Sequence, residues 1–297
     1  MRKIQIMTDS CADFDASFSK KYDIACIDFT IFFNDKEINV DVGYDHKVRA
    51  HDIFNALRNG ERIYTLPATE YEIEKKLRKY LDQDMDIIYI GCSARQSVTV
   101  TKVNKVAKRL AKEYENNIEV IDSLNAGAGE GLLVVEACKK LEEGYSLESL
   151  KKYIYSIRKN VIQFAVPENL SFMSRANKIN AGTAIIGNML GVKPVLISDK
   201  NGVQCALKNV RGREESLREI VRLFKENILD SEKQDITIIH GDDEEAALYV
   251  KNLLLEDNFK CQNVFTICIG PSVGITMGPG MVGIFGFGKT VTFEQED

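Results

Sequence analysis

Short apolar runs and helix-spaced apolar segments take turns along the first 160 residues, and this alternation restricts the fold more than any other feature. Ile4–Met7 reads as a strand, and Ile24–Phe33 as a longer one rich in Ile and Phe. In Glu70–Leu81 the apolar and aromatic residues Tyr71, Ile73, Leu77, Tyr80 and Leu81 recur at helical spacing. Ile87–Ile90 is a buried strand, Val98–Leu110 a helix with Val103, Val106, Ala107 and Leu110 on one face, Ile118–Ile121 a strand and Gly131–Leu141 a helix. Strand–helix–strand units build a parallel sheet with helices on both faces. Ligands of such sheets bind beyond the carboxyl ends of the strands. The polar loops placed there are Thr8-Asp9-Ser10, Tyr64-Thr65-Leu66-Pro67, Gly91-Cys92-Ser93 and Asp122-Ser123, which are expected to converge on one edge.

The pattern changes beyond residue 160. After a helix at Leu147–Ile157, the strand Val161–Val166 opens a new unit. A helix at Asn180–Leu190 precedes two strands, Val192–Ser198 and Val203–Val210, joined as a hairpin around Asp199-Lys200-Asn201-Gly202. Ser216–Ile228 is an amphipathic helix, followed by strand Ile236–Ile239, helix Glu244–Leu255 and strand Asn263–Ile269. The expected fold is therefore α/β in two domains. Residues 1–160 form a doubly wound, mostly parallel sheet, and residues 161–297 an α+β domain with a mixed sheet. No low-complexity linker separates them, so the two are expected to pack closely.

Bulk properties exclude several classes. A net charge of −5 lacks the basic surface that nucleic-acid binding needs. No apolar run approaches the ~18–20 residues of a membrane span, and the opening segment turns polar too soon for a signal-peptide core. Seven scattered cysteines without a C-x-x-C fit reduced thiols and a cytoplasmic location. Three scattered histidines (His46, His51 and His240) give no zinc-ligand spacing. No nucleotide loop with a Gly-Lys-Ser/Thr ending occurs near Gly182 and Gly187, and no cofactor is expected. Arg211-Gly212-Arg213 reads as a solvated basic face, and His240 as a satisfied loop or interface histidine.

The stretch Gly270-Pro271-Ser272-Val273-Gly274-Ile275-Thr276-Met277-Gly278-Pro279-Gly280 is the most distinctive local feature. Glycines there leave the backbone approachable and prolines fix the turns. By composition it is a tight turn with close helix–sheet packing, or a place where backbone meets ligand.

Six segments, in order, carry a resemblance. Ile6-Met7-Thr8-Asp9-Ser10-Cys11-Ala12-Asp13 is followed by Val120-Ile121-Asp122-Ser123 and by the run Gly187-Asn188-Met189-Leu190-Gly191-Val192-Lys193-Pro194-Val195-Leu196. Val210-Arg211-Gly212-Arg213, the Gly/Pro stretch and Gly278-Pro279-Gly280-Met281-Val282-Gly283 complete the set. Together they resemble the DegV family of two-domain fatty-acid-binding proteins, some of which are the lipid-presenting subunit of a bacterial fatty-acid kinase. The resemblance implies a fatty acid with its carboxylate between the domains and its acyl chain in a tunnel of the first. It also implies a possible kinase catalytic subunit as partner, and no catalysis by the chain itself.

Where the family holds the head group, this sequence departs from the pattern. The family's T-S-Q-P reads Tyr64-Thr65-Leu66-Pro67. Its S-S-x-L-S-G-T becomes Cys92-Ser93-Ala94-Arg95-Gln96-Ser97-Val98, with Gln96 in place of the serine expected to touch the carboxylate. Its G-G-R-I becomes Ala176-Asn177-Lys178-Ile179, and its H-x-G-P-G becomes Thr276-Met277-Gly278-Pro279-Gly280. By resemblance the ligand-binding residues are Thr65, Ser93, Gln96, Ser97, Lys178, Thr276 and Gly278. The alternatives are a diverged member that binds another amphiphile, an interaction subunit without ligand, and a phosphotransferase-like enzyme.

Overall fold

A computed structural model describes residues 2–38, 47–176 and 190–295, without the side chains of residues 38 and 47–49. Four parallel strands form the first sheet: β1 (Ile4–Asp9), β2 (Ile24–Ile27), β6 (Asp86–Gly91) and β7 (Ile118–Asp122), in the order β2-β1-β6-β7. The helices on its faces include α3 (Glu70–Leu81), α4 (Thr99–Leu110), α5 (Ala128–Glu142) and α6 (Leu147–Ile157). Strands β2 and β6 are near-continuously apolar and almost wholly buried, as expected where helices cover both faces of a sheet, whereas the edge strand β7 is mostly half-buried.

Helix α3 shows how local sequence sets an element. Thr69 and Glu72 form a capping box, each side chain meeting the other's backbone N–H. Ile73, Leu77, Tyr80 and Leu81 are buried at the expected spacing. Tyr71, counted with that face by periodicity, points to solvent at 75% exposure.

The apolar run expected as one strand over Ile24–Phe33 is two. Strand β2 ends at Ile27, and β3 (Thr30–Phe33) joins a separate three-stranded sheet, β4-β3-β5, with β4 (Lys36–Ile38) and β5 (Ile63–Leu66). Ser10 fixes the corner: its Oγ accepts the Phe29 backbone N–H at 2.9 Å. Between β4 and β5 lies α2 (Lys47–Arg58).

The second sheet has six strands in the order β10-β9-β8-β13-β11-β12 and is mixed. Its members are β8 (Val161–Val166), β9 (Val192–Ser198), β10 (Gln204–Arg211), β11 (Ile236–His240), β12 (Val264–Cys268) and β13 (Val282–Phe287). Helices α8 (Arg213–Asn227) and α9 (Glu244–Leu255) cover one face, burying Phe224, Ile220, Val250 and Leu254. Strand β13 lies antiparallel between β8 and β11, so the end of the chain closes the sheet. The helix expected over 180–190 falls largely on residues 180–189, outside the described residues.

The Gly/Pro stretch is more than a turn. Pro271–Met277 is a short helix, α10, with Pro271 at its first turn, where the missing N–H costs nothing. Together with α7 (Ser171–Arg175) it forms the seam. A single core joins Ile31, Phe54, Leu57 and Ile63 of the first lobe to Phe172, Met173, Ile275 and Met277 of the second. The piece containing β3, α2 and β5 thus leaves the parallel sheet and packs on the second lobe.

Candidate functional site

A cavity of about 730 Å³ lies at this seam, within the roughly 300–1,000 Å³ of small-molecule sites. The first lobe lines it with the strand-end residues Cys11 and Cys92, the 96–98 loop, and residues 60–65 and 67 around β5. The second lobe contributes Phe172, Arg175 and Ala176 at α7, Gln204, and the face of α10. Sheet topology explains the first group, because β1 and β6 are parallel neighbours whose carboxyl ends open on one edge.

Four of the seven sequence-predicted residues line this cavity: Thr65, Gln96, Ser97 and Thr276. Ser93 is fully buried behind the wall, and its Oγ donates to the carbonyl of Gly202 in the β9–β10 hairpin at 2.8 Å. Gln96 reaches the same carbonyl with Nε2 at 3.0 Å, and Ser198 Oγ at 3.3 Å. Ser97 shares a 2.9 Å hydrogen bond with Thr99 Oγ1 and accepts the Thr99 backbone N–H. Gly278 terminates α10 at φ +82° against the ring of Phe172. Lys178 lies outside the described residues. Of the four converging loops, Tyr64, Thr65, Pro67 and Cys92 contribute lining residues, whereas Thr8-Asp9-Ser10 and Asp122-Ser123 stand behind it.

Behind the cavity floor sits a buried acidic cluster. Asp9 accepts the Tyr89 hydroxyl at 2.6 Å and the backbone N–H groups of Cys11 at 2.9 Å and Cys92 at 3.2 Å. One carboxylate thereby clasps both strand ends. Burial raises its pKa, against the pull of the Tyr89 hydrogen bond. Glu130 takes the Thr8 hydroxyl at 2.9 Å, while its Oε2 is buried without a partner. Burial, with Asp9 nearby, pushes the Glu130 carboxyl well above its ordinary range. Asp13 accepts the Gly270 N–H at 2.8 Å at the entry to α10, and burial pushes it up to about 7. The Cys11 thiol is raised by its hydrogen bond with Cys92 and by burial, which makes it a poor nucleophile.

Two basic features resolve differently. Arg213, expected on a solvated face, pairs with Glu168 at 3.1 Å and Asp243 at 3.4 Å and donates to the Gly280 carbonyl, pinning the Gly-Pro-Gly turn. His240 is buried, and its Nδ1 accepts the Asp243 N–H at 3.1 Å. Among the described residues no cluster of three His, Cys, Asp or Glu side chains has metal-binding geometry. None of their helices is long and apolar enough to cross a membrane.

Fold and cavity define a two-lobed α/β protein with a ligand-sized space where its sheets meet. The family model described as "Uncharacterised protein, DegV family" matches residues 3–289, and the chain belongs to the DegV family. A DegV domain-containing protein of Clostridium acetobutylicum is 31% identical over 295 residues, covering 96% of this chain and 98% of the relative. Among solved structures, a fatty-acid-binding DegV family protein of Thermus thermophilus superposes with a TM-score of 0.84 at 21% identity, covering 97% of this chain and 100% of that one. A Eubacterium eligens family member loaded with heptadecanoic acid gives 0.81 at 17% identity, covering 96% and 100%. DegV of Bacillus subtilis, a fatty-acid-binding protein, gives 0.80 at 22% identity, covering 97% and 100%.

Proposed function

We propose that this chain binds a long-chain fatty acid or a related lipid, with the acyl chain in the seam cavity and the polar end between the lobes. The observation that carries the reading is the cavity: about 730 Å³, walled by Phe29, Leu57, Ile63, Val98, Phe172 and Ile275, with hydroxyls at Thr65 and Thr276. Each buried methylene contributes about 0.8 kcal/mol, so a chain of about 15 gains roughly 12 kcal/mol before ordering costs. That gain suits a carrier of poorly soluble molecules. Fatty-acid binding by structural neighbours from several bacteria supports the same choice of ligand.

In this reading the lobes divide near residue 160, residues 1–160 supplying most of the wall around the tail and residues 161–297 closing over the head group. Thr65, Ser97 and Thr276 face the ligand, and family position assigns Lys178 and Gly278 to the head group. Ser93 and Gln96 act on the ligand through the Gly202 latch that holds the wall. The chain is a carrier that hands its lipid to a partner kinase, in a cytoplasm that keeps its seven free thiols reduced.

The test is a calorimetric titration with palmitate beside the cavity-filling variant Ala126→Trp, since Ala126 lines the space. Saturable binding by the parent, lost in the variant without a drop in melting temperature, is expected. Equal binding by both would place the lipid elsewhere.

A further inference from the structure

We infer that Arg175, rather than a hydroxyl cluster, selects an anionic head group in the cavity; the inference rests on the lipid-binding reading above. The charged side chains among the lining residues are Glu61, Arg62 and Arg175. Two of them are committed elsewhere. Glu61 accepts the Asn34 amide at 3.1 Å, and Arg62 pairs with Asp35 at 3.0 Å while lying over the Tyr64 ring. Arg175 has no carboxylate partner among the described residues. Its guanidinium lies 5.1 Å from the ring centroid of Phe172, a cation–π contact that orients the fork.

The neighbouring donors point the same way. Ser93 and Gln96 are spent on the Gly202 carbonyl, and Ser97 on Thr99. Thr65 and Thr276 keep side-chain hydroxyls that pair with nothing among the described residues. They sit on β5 and α10, which touch each other, and α10 also packs on α7, the helix that ends at Arg175. Two neutral hydroxyls do not offset the cost of drawing a carboxylate out of water. A guanidinium fork does, through charge-assisted paired hydrogen bonds. The position is also fixed. Phe172 and Met173 are buried, and Phe172 stands so close to Gly278 that a Cβ there would lie 2.3 Å from the ring. Arg175 itself is exposed, so a ligand can reach its guanidinium.

The experiment compares palmitate with 1-hexadecanol, which share chain length and differ in head-group charge, on the parent chain and on Arg175→Ala, Arg175→Lys and Arg222→Ala. Loss of a charged hydrogen-bonding group predicts a palmitate affinity about tenfold or more weaker in Arg175→Ala. Hexadecanol affinity should change less than about threefold, Arg175→Lys should recover part of the loss, and Arg222→Ala, a surface arginine of α8 paired with Glu219, should resemble the parent. Palmitate binding unchanged in Arg175→Ala, with the parent binding well, overturns the role of Arg175 and leaves the lipid-binding reading standing. Equal losses for palmitate and hexadecanol overturn charge selection in favour of a structural role. A parent chain that binds neither molecule overturns both readings.

Discussion

The hydroxyl of Ser93 is bonded to the carbonyl of Gly202, 2.8 Å away and 109 residues further along the chain. Both groups are buried at the junction between the end of β6 and the β9–β10 hairpin. Gly202 adopts φ +81°, and a Cβ there would lie 2.3 Å from Ser93 Oγ and 3.0 Å from the Leu124 backbone. Ser93→Ala should cost about 1 kcal/mol, because Gln96 still satisfies the carbonyl. Gly202→Ala should cost about 2 kcal/mol or more, since it adds backbone strain to a clash. Chemical denaturation of both variants checks the order; a costlier Ser93→Ala would contradict the latch.

Asp13 makes stability depend on pH. Its folded-state carboxyl is pushed up to about 7 by burial, from an ordinary 3.8. Between those values the folded chain holds a proton that the unfolded chain has released, so stability falls as pH rises and levels off above about 7. The shift of about 3 units corresponds to at most roughly 4 kcal/mol. Glu130, also raised by burial, adds a loss of the same sign at higher pH. Asp13→Asn keeps an acceptor for the Gly270 N–H, and Glu130→Gln one for the Thr8 hydroxyl. Melting curves from pH 5 to 8 should flatten in Asp13→Asn, with the gain over the parent largest at pH 8. A parent whose stability rises across that range would contradict the assignment.

Phe54 anchors α2 to α10. It is fully buried, and a Cβ on Gly274 would lie 2.7 Å from its ring. Phe54→Ala should cost about 3–5 kcal/mol through the void it leaves. Because α2 and α10 wall the cavity, hydrogen exchange should rise at both helices together. Protection lost at α2 alone would show that the two do not act as one unit.

Gly278 supports Arg175 indirectly. At φ +82° and in contact with Phe172, Gly278→Ala forces the ring aside and α7 with it. The expected outcome is a destabilisation of about 2 kcal/mol and weaker palmitate binding. Normal affinity in a destabilised variant would detach the turn from the site.

Much of the architecture was legible because its signals are local. The capping box at Thr69 and the spacing of Ile73, Leu77 and Leu81 define α3 without tertiary help. The Asp199–Gly202 turn is equally readable, since Asp199 Oδ1 receives the Asn201 and Val203 backbone N–H groups. The break between β2 and β3 was not, because an unbroken apolar run carries no mark of where a chain changes sheets. Its cause is the Ser10–Phe29 hydrogen bond, made across 19 residues. Strand β13 carries two glycines in six residues, which weakens its strand signal. At the site, composition identifies hydroxyls and amides but not their partners. Nothing local in the sequence shows that Ser93 and Gln96 bond to the Gly202 carbonyl, more than 100 residues away. Arg175 lines the cavity, a placement that motif position does not reveal, and Lys178 lies outside the described residues.

Mass spectrometry of the organic extract of the purified chain tests the central claim most directly. A seam cavity that carries lipid should release long-chain fatty acid in near-equimolar amount, and Ala126→Trp should release little. An extract free of fatty acid from the parent chain, together with no uptake of added palmitate, would contradict the account.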